Sequence, residues 1–196
     1  PLPFSPGAEC AGVVREVGAG VTRVAPGDRV ALTQVNGTFV DKLVAAESAV
    51  VKLPDAVSFE VGAATMMTYL TTYHALVDRA AIQPGETLLV LGAAGGVGVA
   101  ACELGAALGA RVIAAASTDD KLAFCREHGA AETIDYTRED LKDRIKALTG
   151  GNGVDVVYDP VGGAFAEPAL RGTGWQGRYL VIGFASGTIP MLPANQ

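Results

Sequence analysis

Residues 88–91 form an unbroken apolar run of strand length, and Gly92-Ala93-Ala94-Gly95-Gly96-Val97-Gly98 follows it directly. Small and apolar residues then recur at helical spacing, so the pattern predicts a buried strand, a glycine-rich turn and a helix starting near Gly96. The alternation continues with a strand over 111–115, a helix over 119–127, a strand over 132–135 and a helix over 139–148. Further strands are predicted over 154–158 and 177–183. Such alternation demands right-handed crossovers and a parallel sheet covered on both faces, which is an α/β, doubly wound architecture.

Nearer the N-terminus the period changes. Residues 11–17, 29–33, 39–44 and 49–53 carry β-branched residues in partial alternation, with Pro26-Gly27-Asp28 and Asn36-Gly37 between them. These read as short antiparallel strands joined by turns, part of a small barrel or sandwich. Ser58 is placed to cap a short helix through Ala64, and Tyr69, Tyr73, Leu76 and Ala80 space a longer one over 68–79. Gln83-Pro84-Gly85 ends that connection. The change of architecture between residues 66 and 86 implies two domains.

Composition narrows the partners. The 196 residues carry a net charge of −6, and the basic residues are scattered singly, which argues against nucleic acid or an anionic membrane. No apolar run of about 18 residues occurs, and Pro1-Leu2-Pro3-Phe4 lacks the features of a signal peptide, so a cytoplasmic protein is expected. Cys10, Cys102 and Cys125 are far apart in sequence without a C-x-x-C, which suggests neither a disulfide framework nor a zinc ribbon. Cys102 and Cys125 fall in helical patterns and read as small buried hydrophobes. His128, beside Gly129, reads as a helix-end residue and His74 as structural.

The glycine turn carries the chemistry. Backbone N–H groups and the positive end of a helix dipole at Ala94, Gly95, Gly96 and Val97 suit a pyrophosphate, so a dinucleotide is expected. The G-x-G-x-x-G fingerprint is met with Ala93 at its first position, and no Gly-Lys-Ser/Thr follows, which excludes a P-loop. In the NAD-binding arrangement a carboxylate stands at the tip of the second strand. Here that strand ends Ala115-Ala116-Ser117, and Asp119 and Asp120 come later as first-turn acids. Ser117 and Lys121 instead offer a hydroxyl and a cation to a 2′-phosphate, with Tyr136 closing over it, which favours NADPH over NADH. A methyltransferase using S-adenosylmethionine would want an acid where Ser117 stands.

Five further stretches complete a pattern: Pro6-Gly7-Ala8-Glu9-Cys10-Ala11-Gly12-Val13-Val14, Gly18-Ala19-Gly20-Val21, Pro26-Gly27-Asp28-Arg29-Val30, Val157-Tyr158-Asp159-Pro160-Val161-Gly162-Gly163 and Gly183-Phe184-Ala185-Ser186-Gly187. Together with the glycine turn they resemble the zinc-independent, zeta-crystallin-like quinone oxidoreductases of the medium-chain dehydrogenase/reductase superfamily. The resemblance implies part of a GroES-like catalytic domain over 1–66 and a Rossmann domain over 67–190 lacking its last strand, with 191–196 starting a return segment. It implies NADPH in the cleft between the domains. Ala94, Gly95, Gly96 and Val97 then match the pyrophosphate turn, and Ser117, Lys121 and Tyr136 the 2′-phosphate pocket. Thr71 matches a threonine on the nicotinamide side. Residues 181–186 match the loop beside the ring, contributing Ile182, Gly183, Phe184 and Ser186, and Val161 joins the cofactor-binding set. Where the zinc-dependent alcohol dehydrogenases of the superfamily have Gly-His-Glu, this chain has Gly7-Ala8-Glu9, and alanine binds no zinc. The lobe of four cysteines is absent as well, so no metal site is expected.

The activity implied is hydride transfer from NADPH to a small quinone or α,β-unsaturated carbonyl, with the parent protein a homodimer and this chain a fragment of it. A truncated, non-catalytic NADPH-binding or structural protein is the alternative. No catalytic residue is assigned: Tyr69, Tyr73 and Tyr158 are acids by type and read better as packing.

Overall fold

A computed structural model describes residues 3–193, in two compact units that meet at Leu70 and Thr71. Of the return segment expected over 191–196, the part from Ala194 on lies outside the described residues.

The first unit holds a three-stranded antiparallel sheet, β1 (Glu9–Val13), β2 (Arg29–Thr33) and β3 (Val50–Lys52), in the order β1-β2-β3. Pro26-Gly27-Asp28 makes the expected turn, with the Gly27 N–H donating to the Val14 carbonyl at 2.8 Å. Val30, Leu32 and Val50 form a small core. The strand expected over 39–44 is not there. The Thr38 and Phe39 N–H groups donate to the Gly7 and Pro6 carbonyls, and the Val40 N–H turns back to the Thr38 carbonyl at 3.0 Å. A backbone closed on itself in this way presents no row of donors to a neighbouring strand.

One helix, α1 (Phe59–Tyr73), replaces the two expected. Ser58 caps it, its Oγ accepting from the Val61 N–H at 3.2 Å. The Thr65 and Thr68 hydroxyls donate to the Val61 and Ala64 carbonyls, so these threonines satisfy themselves inside the helix rather than ending it. A wider π turn over His74–Arg79 completes the connection.

The second unit alternates as its hydrophobic runs dictate. It contains β4 (Thr87–Leu91), α2 (Gly96–Ala107), β5 (Arg111–Ala116), α3 (Asp119–Glu127), β6 (Glu132–Asp135), α4 (Leu141–Leu148), β7 (Val154–Asp159), α5 (Ala166–Arg171) and β8 (Thr173–Val181). The strands are parallel, in the order β6-β5-β4-β7-β8. Leu88, Val90, Val112 and Ala114 pack with α2 and α3 on one face, while Leu89, Leu91, Ile113 and Ala115 pack with α4 and α5 on the other. Both faces of β4 are thereby buried, which is why its run is continuously apolar. Arg178 on β8 donates to both Glu86 carboxylate oxygens, at 2.8 and 2.6 Å, fixing the start of β4 to the sheet edge.

Two features depart from the expected pattern. Helix α5 was hidden by Pro168, which sits in its first turn, where a missing N–H costs nothing. β8 starts at Thr173 and carries a bulge between the Val154 and Val156 pairings. In that bulge Gln176 has a φ of 62°, and Trp175 is 94% exposed. No described helix is long and apolar enough to cross a membrane.

Candidate cofactor site

The strand order reverses between β4 and β7, since β5 and β6 lie on one side of β4 and β7 and β8 on the other. A crevice opens at such a switch point, outside the carboxyl ends of the strands. The glycine turn leaves β4 there, and Pro160-Val161 leaves β7. The two come so close that a Cβ on Gly92 would lie 2.7 Å from Val161 Cγ2.

The turn is tight. The Gly95 N–H donates to the Gly92 carbonyl at 2.9 Å, and the Ala93 N–H to the Ala115 carbonyl at 3.1 Å, which continues the β4–β5 pairing. Gly95 is the N-cap of α2 and supplies no side-chain acceptor, so the first-turn N–H groups of Gly96, Val97 and Gly98 await an acceptor from outside the helix. Gly98 lies against the turn itself, where a Cβ would fall 2.4 Å from the Gly92 carbonyl oxygen and 2.8 Å from two Ala93 backbone carbons. Donors, dipole and close approach thus coincide, and the residues present fit a pyrophosphate.

At the tip of β5 the Lys121 Nζ donates to the Ser117 Oγ at 3.1 Å, bringing the hydroxyl and the cation together. Thr118 caps α3, its Oγ1 accepting from the Lys121 N–H. The Tyr136 N–H donates to the Ala116 carbonyl at 3.3 Å, which places Tyr136 alongside Ser117, and its ring packs on Phe165 at 4.3 Å between centroids. Arg138, which the sequence reading passed over, stands close by and bridges the Asp119 and Asp135 carboxylates. The Thr137 hydroxyl and N–H, with Arg138, hold the Asp135 carboxyl below its ordinary pKa.

The loops after β7 and β8 are organised by Asp159, which is 1% exposed. Its Oδ1 accepts from the Val161 and Gly162 N–H groups, both at 2.8 Å, and its Oδ2 from the Tyr179 hydroxyl at 2.6 Å. Burial and the neighbouring carboxylate push the Tyr179 phenol up. The Asp159 carbonyl takes the Ile182 and Gly183 N–H groups, and the Ser186 N–H donates to the Val161 carbonyl at 3.0 Å. Val161, Ile182, Gly183 and Ser186 are thus held in one loop pair, and the Phe184 ring lies against Gly162. A cavity of about 520 Å³ opens beside it, lined in part by Gly163, Glu167, Ser186 and Met191. The sequence carried a signal for Asp159, an aspartate at a strand end followed by Pro-Val-Gly, which is the setting of an Asx turn.

Thr71 is half-buried near the end of α1. Its neighbour Thr72 is buried, with its Oγ1 2.8 Å from the Tyr158 hydroxyl and donating to the Val97 carbonyl at 3.3 Å. This contact ties the Thr71 segment to the first turn of α2. Tyr158 is wholly buried, and burial raises its pKa, which marks it as packing rather than as an acid facing a substrate. His74 bonds Asp78 at 2.8 Å and His128 bonds Glu103 at 2.5 Å, both in structural roles.

Ala8 contributes only its carbonyl, which accepts from the Gln34 N–H at 2.8 Å, and no group of three or more His, Cys, Asp or Glu suited to an ion occurs among the described residues.

Comparison with known proteins agrees with this architecture. Residues 96–196 match the family model described as zinc-binding dehydrogenase, and residues 1–55 match the alcohol dehydrogenase GroES-like domain. A quinone oxidoreductase-like protein 2 homolog of Nematostella vectensis is 44% identical over 196 residues, covering 99% of this chain and 53% of its own length. The chain thus spans a little over half the length of the curated relatives it matches. The crystal structure of Escherichia coli quinone oxidoreductase complexed with NADPH superposes with a TM-score of 0.90 at 37% identity, over 99% of this chain and 60% of that one. A mycobacterial protein complexed with NADPH gives a TM-score of 0.91 at 35% identity, over 100% of this chain and 61% of that one. By its fold, its glycine turn and these relatives, the chain belongs to the zinc-binding dehydrogenase family, as a quinone-oxidoreductase-like member of the medium-chain dehydrogenase/reductase superfamily.

Proposed function

We propose that this protein binds NADPH at the carboxyl ends of β4, β5 and β7, and passes hydride to a quinone or an α,β-unsaturated carbonyl without zinc. The observation that carries the reading is the Lys121–Ser117 pair, 3.1 Å apart at the strand tip where an NAD-binding site would put a carboxylate. The NADPH complexes of the Escherichia coli and mycobacterial relatives support it.

Each group has a task in this reading. The N–H groups of Gly96 and Val97 hold the pyrophosphate at the start of α2, on a turn closed by the Gly95 N–H. Lys121 and Ser117 pair with the 2′-phosphate, and Tyr136 flanks it. Val161, Ile182, Gly183, Phe184 and Ser186 line the far end of the cofactor, with Thr71 held near it through Thr72. Bound here, the reduced nicotinamide supplies the hydride. Ala8 offers no zinc ligand, and an acceptor whose carbonyl is already conjugated needs no Lewis acid to activate it. The Tyr158 and Tyr179 hydroxyls are committed to Thr72 and Asp159, so water supplies the proton.

The test is a titration of NADPH and NADH into the wild type and Lys121→Ala. A charge-assisted bond to phosphate is worth about 1.5–3 kcal/mol, so the variant loses roughly tenfold or more in NADPH affinity and none for NADH. An equal loss for both overturns the phosphate assignment. Consumption of NADPH with 9,10-phenanthrenequinone supports the transfer, and binding without consumption overturns that half of the proposal.

A further inference from the structure

The tips of β5 and β6 are rich in acid for a place that is to receive a phosphate. Asp119 and Asp120 open α3 just beyond Ser117, and Asp135 ends β6 in register with Ala116, which directly precedes Ser117. Left to Lys121 alone, three carboxylates would outweigh one cation and repel a dianion. Arg138 changes that balance. The chain turns sharply at the end of β6, where the Asp135 Oδ1 accepts from the Thr137 N–H at 2.9 Å and from the Thr137 hydroxyl at 2.6 Å. The Arg138 N–H closes the turn on the Asp135 carbonyl at 3.1 Å. Its guanidinium is thereby delivered between the two strand tips, with Nε donating to the Asp135 Oδ2 at 2.6 Å and Nη2 donating to the Asp119 Oδ1. One cation thus answers two carboxylates and links the segment that carries Ser117 to the segment that carries Tyr136.

We propose that Arg138 is a positioning residue that determines cofactor specificity: by neutralising Asp119 and Asp135 it keeps this rim open to a 2′-phosphate and sets the preference for NADPH over NADH. The inference rests on the NADPH reading above and deepens it. Arg138 acts through the two carboxylates, while Lys121 and Ser117 make the contact with the phosphate. Asp135 is buried, so its charge is met by Thr137 and Arg138 rather than by water. Asp119 and Arg138 are exposed, and an exposed ion pair adds little to stability, so the effect left to this bond is the charge it cancels.

Loss of the guanidinium changes what the site selects. Asp119 then stands two residues past Ser117 as an unpaired carboxylate, close to the strand tip where NAD-binding sites place theirs. It repels the 2′-phosphate of NADPH and tolerates the ribose hydroxyl that NADH carries in the same place. Charges within a Debye length, about 10 Å at 0.1 M salt, still act on one another, so the repulsion reaches the ligand and weakens as salt is added.

Calorimetric titration of NADPH and NADH into the whole chain tests the assignment. Arg138→Ala should lose about tenfold in NADPH affinity and less than about twofold in NADH affinity, and added salt should shrink the NADPH loss. Combining it with Asp119→Asn should bring NADPH affinity back to within about threefold of wild type. Arg138→Gln keeps a donor for Asp119 but removes the charge; it should behave as the alanine variant does, and it decides the matter if that protein fails to fold. An equal loss for both cofactors, or a loss that salt leaves unchanged, overturns the proposal and makes the bridge structural only. A double variant as weak as Arg138→Ala also overturns it, because the guanidinium then bonds the phosphate directly. If the wild type binds NADPH and NADH equally, the NADPH reading fails and this inference with it. If the wild type discriminates and Arg138→Ala discriminates as well, the role of Arg138 fails alone.

Discussion

Replacing Gly98 by alanine tests whether the glycine turn is built for close approach. On helix propensity alone, Gly→Ala stabilises by about 1 kcal/mol. The new methyl, however, would lie 2.4 Å from the Gly92 carbonyl oxygen and 2.8 Å from the Ala93 Cα and carbonyl carbon. Those are backbone atoms, pinned by the Gly95→Gly92 and Ala93→Ala115 hydrogen bonds, so no rotamer relieves the clash. Overpacking costs typically 1–3 kcal/mol even where side chains can yield, so a cost above the top of that range outweighs the propensity gain. The net loss is about 2 kcal/mol, or roughly 4–8 °C in melting temperature for a chain of this size. NADPH affinity falls with it, by about tenfold for each charge-assisted amide bond that is misaimed. Gly95→Ala is the control, because its methyl would meet only the Gly92 oxygen, at 3.3 Å, and should melt within a degree or two of wild type. Thermal melting followed by circular dichroism, with cofactor titration alongside, reads both effects. A Gly98→Ala variant as stable as wild type, or a Gly95→Ala variant that is worse, refutes the reasoning.

Two other perturbations bear on groups away from the turn. Tyr158→Phe removes the 2.8 Å contact to Thr72 and should cost about 1 kcal/mol by urea denaturation while leaving any NADPH turnover within a few-fold of wild type; abolished turnover would show that the phenol does chemistry. Arg178 hydrogen-bonds the Glu86 carboxylate and lowers its pKa from an ordinary 4.5, so the stability this pair contributes is fully present above pH 4.5 and is lost as the pH falls through the lowered value. Glu86→Gln should flatten the acid limb of the stability profile, and an unchanged acid limb would count against the pair.

The doubly wound half was legible because its strands are buried on both faces and its helices are separated by glycines. The bounds of β6 and α3 match the expected ones, as does the start of α2. Pattern failed where a local hydrogen bond outweighed it. Thr65 and Thr68 looked like a break and became part of α1, Pro168 concealed α5, and residues 39–44 had strand composition but a backbone committed to Pro6, Gly7 and Thr38. At the candidate site the backbone turn and the Ser117–Lys121 pair follow from short spacings. Asp159, Arg138 and the Tyr158–Thr72 bond join segments distant in sequence or bridge neighbouring acids, and residue types alone do not order such contacts.

The bulge in β8 also has an optical consequence. Trp175 is the sole indole of the chain and stands in water at 94% exposure in the native fold. Denaturation barely alters its surroundings, so the colour of its fluorescence stays nearly constant while the sheet comes apart. An experimenter watching that signal alone would mistake a melting protein for an intact one.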